Sequence, residues 1–344
     1  MRICGYVLCI ALAAAAAGCS LHNVPRPRLG SYATATAGTN FLDLSSLGEH
    51  QYFDGRRENN GIVYTCRGGH IDIAHVRIAA DYTKYHYERI KEVLLQSQCE
   101  YIFKLNVDRS QFYARWTLPA DWNGLPRQTR ERIADETALE LARYFTFMMV
   151  SWHEVLTFFG FKTMGIVPEF PSAFSWEDNY SNLLGVRLGA AAIRDGRDFD
   201  AAMTAHLEAE LRRLGIQSAQ TARQAAEAVR GQWYEGHLIV NMLIRHTHIG
   251  LDDGTITPLL VPDVCEQAQP QTYPAPTLET AGRYGFTVNL KVEPREFEKD
   301  DILNIVCPDG GCRTIVLPDD LAPIMQHIEQ HAQSLGCRIY DPKN

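Results

Sequence analysis

The chain has 344 residues, 46% of them hydrophobic and 22% charged. That is enough to bury the core of one large domain or two smaller ones, and too ordinary a charge content for wholesale disorder. The formal net charge is −8, and without a long Lys/Arg run the chain is a poor match for nucleic acid. After residue 20 no stretch offers about 18 uninterrupted apolar residues, so no internal membrane span is expected.

The first segment has one basic residue, Arg2, then an apolar run from Ile3 to Ala17. This is the pattern of a secretory signal and is set aside from fold reasoning. Its end, Ala16-Ala17-Gly18-Cys19, resembles a bacterial lipobox, with Cys19 as the lipidated residue, although Ala16 stands where Leu is usual. Ordinary cleavage within the alanine tract is the alternative. Ser20 after the cysteine, where an Asp would signal retention, implies an outer-membrane lipoprotein facing the periplasm, anchored by lipid without a spanning helix. The expected organisation is a signal over 1–18, a flexible Pro-, Gly-, Ser- and Thr-rich tether over 19–50, and one globular domain over 51–344 with a C-terminal subregion at 283–344.

Residues 61–66, GIVYTC, read as a strand broken by Arg67-Gly68-Gly69. A long helix is expected over 70–96, with Ile71, Ala74, Ile78, Tyr82 and Tyr85 recurring at three and four. YIFKLNV and QFYARWTLP then alternate like two hairpin strands. A second long helix is expected from about Thr129 to Phe159, ended by Gly160. Ser175 and Asp178 form an S-x-x-D start for a helix over about 176–194, on which Ser181, Gly185, Gly189 and Ala192 share one side and would admit a close neighbour. Helices follow over 199–213 and 219–230, the latter stopped by Gly231. A hairpin is expected to turn at Asp253-Gly254, with a loop over 264–282. FTVNLKVEP and RTIVLP read as strands, and the segment from Asp319 to Gly336 as a final amphipathic helix. The fold class is α+β, helix-rich in the centre, with small antiparallel sheets and hairpins.

Loss of residues 1–18 and lipidation of Cys19 leave Cys66, Cys99, Cys265, Cys307, Cys312 and Cys337. Six cysteines in an oxidising compartment suggest disulfides, with 15 pairings open. Cys307–Cys312 is the pair expected first, because Pro308 and the Asp-Gly-Gly turn bring its ends together. Cys66 as a nucleophile is the minor alternative.

The segment Ser151–Phe161 sets His153 and Glu154 side by side in an apolar run. A lone buried carboxylate costs several kcal/mol, so Glu154 must be paired, protonated, bound to metal or placed on a polar strip. Glu136, Glu140, Arg143 and Ser151 fall near its line and offer such a strip, which Phe147 interrupts. For His153 the plain alternative is a core histidine bonded to a carbonyl. Asp72 and His75 are three apart, so a helix would put them on one face, with Asp72 orienting a histidine that binds metal or moves a proton. Otherwise Asp72 simply favours the helix N-terminus. Arg77 could pair a carboxylate or bind an anion. Glu177 and Asp178 fall where acids are expected for capping alone. His237 and Asn241 lie one turn apart around an apolar triplet, where a core histidine is the plain reading, and His246 and His248 alternate on an expected strand. HExxH, G-x-S-x-G, P-loop and dinucleotide-binding patterns are absent.

YTCRGGHIDIAHVR, WHEVLTFFGF, FPSAFSWEDNYSNLLG and IGLDDGTITPLLVP, in that order behind the signal, resemble a bacterial family called domain of unknown function 4056. The resemblance covers about residues 50–340. It implies a Gram-negative envelope lipoprotein and carries over no activity or catalytic residue. The chemistry expected from the residues is hydrolase-like and zinc-dependent. His75, His153 and His237 would hold the ion, Asp72 would stand behind them, and Glu154 or Glu177 would take a proton from water. Its rival is a non-catalytic envelope protein that binds a partner or cell-wall component, in which His153, Glu154, Asp72 and Arg77 form a buried structural polar network.

Overall fold

The structure is a computed structural model that describes residues 24–160, 162, 163, 167, 168, 170–237 and 240–342. The expected signal and Cys19 lie outside the described residues.

The architecture is α+β. The helices are α1 Ile73–Leu95, α2 Arg127–Phe158, α3 Asp178–Asp195, α4 Phe199–Leu214, α5 Ala219–Ala228, α6 Glu279–Arg283, α7 Lys299–Val306 and α8 Leu321–Ser334. A four-stranded antiparallel sheet has the order Ile315–Leu317, Thr287–Glu293, Gln111–Thr117, Glu100–Phe103. Its inner face meets α2 through stacked rings, Phe112 on Phe103 and Phe103 on Phe145. A separate antiparallel hairpin pairs β1, Ile62–Thr65, with β2, Gly69–Asp72. One apolar cluster runs from Leu42 to Cys337, so the C-terminal strands and helix share the core with the central helices. Among the described residues no helix is long and apolar enough to cross a membrane.

Helices α1 and α3 form the centre of the molecule. Ser181 Oγ receives a hydrogen bond from the Asp72 amide across 109 residues. One and two turns on, a Cβ added to Gly185 would lie 2.2 Å from the Val76 carbonyl oxygen, and one added to Gly189 would lie 2.8 Å from Ala80 Cα. The constant register means that the helices run parallel, with their first turns at the same end. The small-residue side expected on α3 is therefore the contact that lets two backbones approach.

Local differences from the sequence reading have local causes. His70 to Asp72 extend the β1–β2 hairpin instead of starting the helix, because Gly69 adopts φ +64° and turns the chain back. Asp72 then caps α1, its side chain accepting from the Ala74 amide. Thr255–Ile256 pairs with Tyr273–Pro274, not across Asp253-Gly254, because positive φ at both Gly250 and Gly254 bends the chain twice. The expected helix 219–230 ends at Ala228. His246 and His248 lie in irregular backbone after the short strand Ile244–Arg245.

The largest difference is the expected tether. From Val24 to His50 the chain packs onto the fold, with Ala33, Leu42, Leu47 and His50 buried. Apolar residues are few here, and polar anchors supply the hold. Arg28 binds Asp81 at 2.6 Å and Glu58 at 2.9 Å, while His50 binds Asp81 at 2.9 Å. Cys307 and Cys312 are joined as expected, and Cys66 is joined to Cys265, which removes it as a nucleophile.

Two outcomes follow from the packing. Gly185→Ala should lower stability by about 1–3 kcal/mol, because a clash with a backbone oxygen outweighs the roughly 0.5–1 kcal/mol of helix propensity that alanine contributes. Chemical denaturation measures this, and an unchanged or raised midpoint would contradict the close approach. His86 is buried among Tyr82, Tyr85, Tyr101 and Phe103, and burial pushes its pKa from 6.5 down to about 3. Its neutral form contributes stability that is complete above pH 6.5 and is lost as the pH falls through the folded-state value. His86→Phe should therefore gain on the parent protein by roughly 2–3 kcal/mol between pH 6.5 and 4.5, and a pH-independent difference would refute this.

Candidate metal centre

Three helices deliver three side chains to one point. His75 stands in the first turn of α1, Asp178 opens α3, and Glu154 projects from the last turns of α2. One ligand atom from each lies within 4.8 Å of the others. His75 Nδ1 is 3.3 Å from Asp178 Oδ1 and has no well-formed hydrogen bond, although the atom is buried. Two ligands held at about 2.0 Å on a tetrahedral ion stand roughly 3.3 Å apart, so this pair already has the spacing of co-ligands.

The surrounding bonds orient these groups. Asp178 Oδ2 accepts from the Ser175 amide at 2.8 Å, which turns Oδ1 towards His75. Glu154 Oε2 accepts from the Phe174 amide at 3.1 Å. The Phe174 loop is itself clamped by buried Arg245, which donates to the carbonyls of Ala173 and Phe170. The other edge of the imidazole meets the N-terminal segment. A Cβ on Gly30 would stand 2.8 Å from His75 Nε2 and 3.1 Å from Asp72 Oδ2, so only a glycine lets the chain lie flat there.

The charges are left partly uncompensated. Burial, then the charge of Asp178, pushes Glu154 up to about 8, against the opposing pull of His75 and His153. Burial alone would lower the pKa of His75, but Asp72, Asp178 and Glu154 together hold it well above 6.5. Burial likewise raises Asp72. The polar strip read on α2 exists lower down, where Glu140 accepts from the amides of Thr280 and Ala281 and Glu136 pairs with Arg132. It stops short of Glu154, which is buried.

These groups form part of the lining of a hollow of about 460 Å³. The N-terminal segment supplies one wall, with Arg26 to Tyr32 and Thr36 to Thr39. Leu105 to Val107, from the connection between Glu100–Phe103 and Gln111–Thr117, supply another. That connection is fixed by buried Glu296, which accepts from the amides of Arg109 and Ser110, both at 2.8 Å.

Of the expected site residues, His75 and Glu154 meet. His153 lines the same hollow but lies outside the metal-sized group, its Nδ1 instead 2.8 Å from the buried carboxylate of Asp108. His237 is exposed, lies in a bend after the short strand Tyr234–Glu235, and does not line the hollow. Arg77 belongs to a different buried knot, donating to the carbonyls of Asn59 and Leu47, 3.9 Å from Glu58. Asp72 and Glu177 act on the N-terminal segment. Asp72 accepts from the Ser31 amide at 2.7 Å, and Glu177 from the Ala33 amide at 2.8 Å. Burial, then Asp178, raises the pKa of Glu177 well above its ordinary value.

Asp178 was read from sequence only as a helix-start acid, and Asp108 was not singled out. Asp178 carried a signal, since it is the acid of the S-x-x-D pattern that announced α3. Asp108 carried none beyond its place in a hairpin turn.

A family model described as Protein of unknown function (DUF4056) matches residues 35–253, well over half of the chain. The chain belongs to this family, and His75, Glu154, Asp178, His153 and Asp108 all fall within the matched segment. No curated protein and no solved structure matches the chain.

Asp72→Ala should cost about 1–3 kcal/mol, since it removes a helix cap and leaves the Ser31 amide unpaired. It should also open residues 24–39 to limited proteolysis. Unchanged protection of that segment would show that Asp72 does not hold it.

Proposed function

We propose that His75, Glu154 and Asp178 hold one divalent metal ion, zinc by the mixture of one imidazole and two carboxylates, and that the protein is a metal-dependent hydrolase. The convergence of three ligand atoms from three helices on one point at the edge of a hollow carries this reading. Only one imidazole belongs to the group, in place of the three histidines expected from sequence. A bound ion supplies Lewis acidity, polarising a carbonyl and making water nucleophilic near neutral pH. Three protein ligands would leave room for water or substrate on the side of the hollow that His75, Glu154 and Asp178 line.

The rest of the chemistry falls to the chain. Asp108 fixes the imidazole of His153, a second titratable group on the hollow. In hydrolysis His153 takes a proton from the attacking water and returns it to the leaving group, so a C–O bond forms, a C–N or C–O bond breaks, and the proton is conserved. Glu154 serves as a ligand in this scheme, not as the base. For Asp72, Glu177 and Arg77 the structural reading is favoured, because each is bonded to backbone.

The signal pattern supports an envelope location. Val24 stands five positions beyond Cys19, so an acylated Cys19 would tether the first described residue within about 18 Å of the membrane surface, at about 3.6 Å per residue.

Metal analysis of the purified chain tests the proposal. One zinc per chain is expected. Zinc at 100 times its dissociation constant should stabilise the fold by about 2.7 kcal/mol. His75→Ala and Asp178→Asn should each weaken binding at least tenfold, and His153→Gln should retain zinc but lose turnover. A metal-free protein whose melting temperature ignores added zinc would overturn the reading.

A further inference from the structure

This inference rests on the metal reading and names the class of molecule the site would take. We infer that the hollow accepts a neutral carbonyl compound, an amide or ester, carrying an apolar chain of several carbons that leaves over Leu29 and Val107.

The charges argue for the head. Arg26 and Arg28 are the lysine or arginine side chains among the described residues lining the hollow. Both are already committed: Arg26 to Glu58 and the Gln51 carbonyl, Arg28 to Glu58 and Asp81. Neither is left to meet a phosphate or a carboxylate. Glu154 and Asp178 balance the charge of a bound dication, so an anionic head gains no net attraction there, whereas a polarisable carbonyl does.

The walls argue for the chain. Beyond the ligand group the lining includes Ile78, Leu105, Val150 and Val240. At the mouth Leu29 and Val107 are 75% and 50% exposed, although both line the hollow. Val24, 46% exposed, sits next to Pro25, whose carbonyl accepts from Asn106 beside Val107. Single exposed apolar residues are ordinary, but a group of them around one opening marks a binding surface. The volume, about 460 Å³, suits a head with a medium-length chain.

The test uses the full chain loaded with zinc and three probes: octanohydroxamic acid and acetohydroxamic acid, both neutral in solution near pH 7, and octylphosphonate, which is anionic. Titration calorimetry should show octanohydroxamic acid binding at least tenfold more tightly than acetohydroxamic acid, since several methylenes leave water. It should also bind more tightly than octylphosphonate. In Val107→Asp the ratio between the two hydroxamic acids should fall towards one. Equal binding of long and short hydroxamic acids by zinc-loaded protein would overturn this inference and leave the metal site standing, and so would preference for the phosphonate. A protein that takes up no zinc would remove the metal reading and this inference with it.

Discussion

The parallel contact between α1 and α3 decides where the chemistry can be. Glycine at 185 and 189 lets α3 come within backbone distance of Val76 and Ala80. Because the helices are parallel, their first turns end up side by side, and those turns carry His75 and Asp178. An antiparallel pair would place the same two residues at opposite ends. α2 packs against both and contributes Glu154 from the far end of its 32 residues. Three residues remote in sequence therefore meet because of two missing side chains.

The molecule holds two buried polar groups of different character. In one, Arg26, Arg28 and Arg77 surround Glu58 and Asp81, so each buried acid already faces an arginine of the protein. Such a knot is closed, and it fixes the N-terminal segment without asking for a ligand. Around His75 the acids outnumber the bases: Glu154 and Asp178 converge with Asp72 close behind, and one imidazole faces them. Burial first, and the charge of Asp178 second, raise the pKa of Glu154. A divalent cation would resolve the excess of acid, and the hollow gives one access.

Much of the fold was legible in the sequence, since three- and four-residue periodicity marked α1, a long run ended by Gly160 marked α2, an amphipathic pattern marked α8, and the small residues of α3 announced a close neighbour. What escaped was set by distant contacts. The segment from Val24 to His50 looks like a spacer because it buries few apolar side chains, yet carboxylates from Asp72, Glu177, Asp81 and Glu58 hold it by its amides and arginines. No local pattern reports those partners. The site was half legible for the same reason. His75 and Glu154 stood out as polar groups in apolar helices. Asp178 was hidden behind its own capping role, and His237, the weakest of the three expected ligands, is exposed and neither a ligand nor the core histidine its neighbours suggested.

The central claim is that this excess of acid exists to hold a cation. Anomalous diffraction at the zinc edge, from crystals of the full chain grown with zinc, tests it most directly. The account predicts one dominant peak about 2.0–2.2 Å from His75 Nδ1 and from carboxylate oxygens of Glu154 and Asp178. Density for zinc only elsewhere on the surface, with the three side chains unchanged and His75 bonded solely to Asp178, would contradict it.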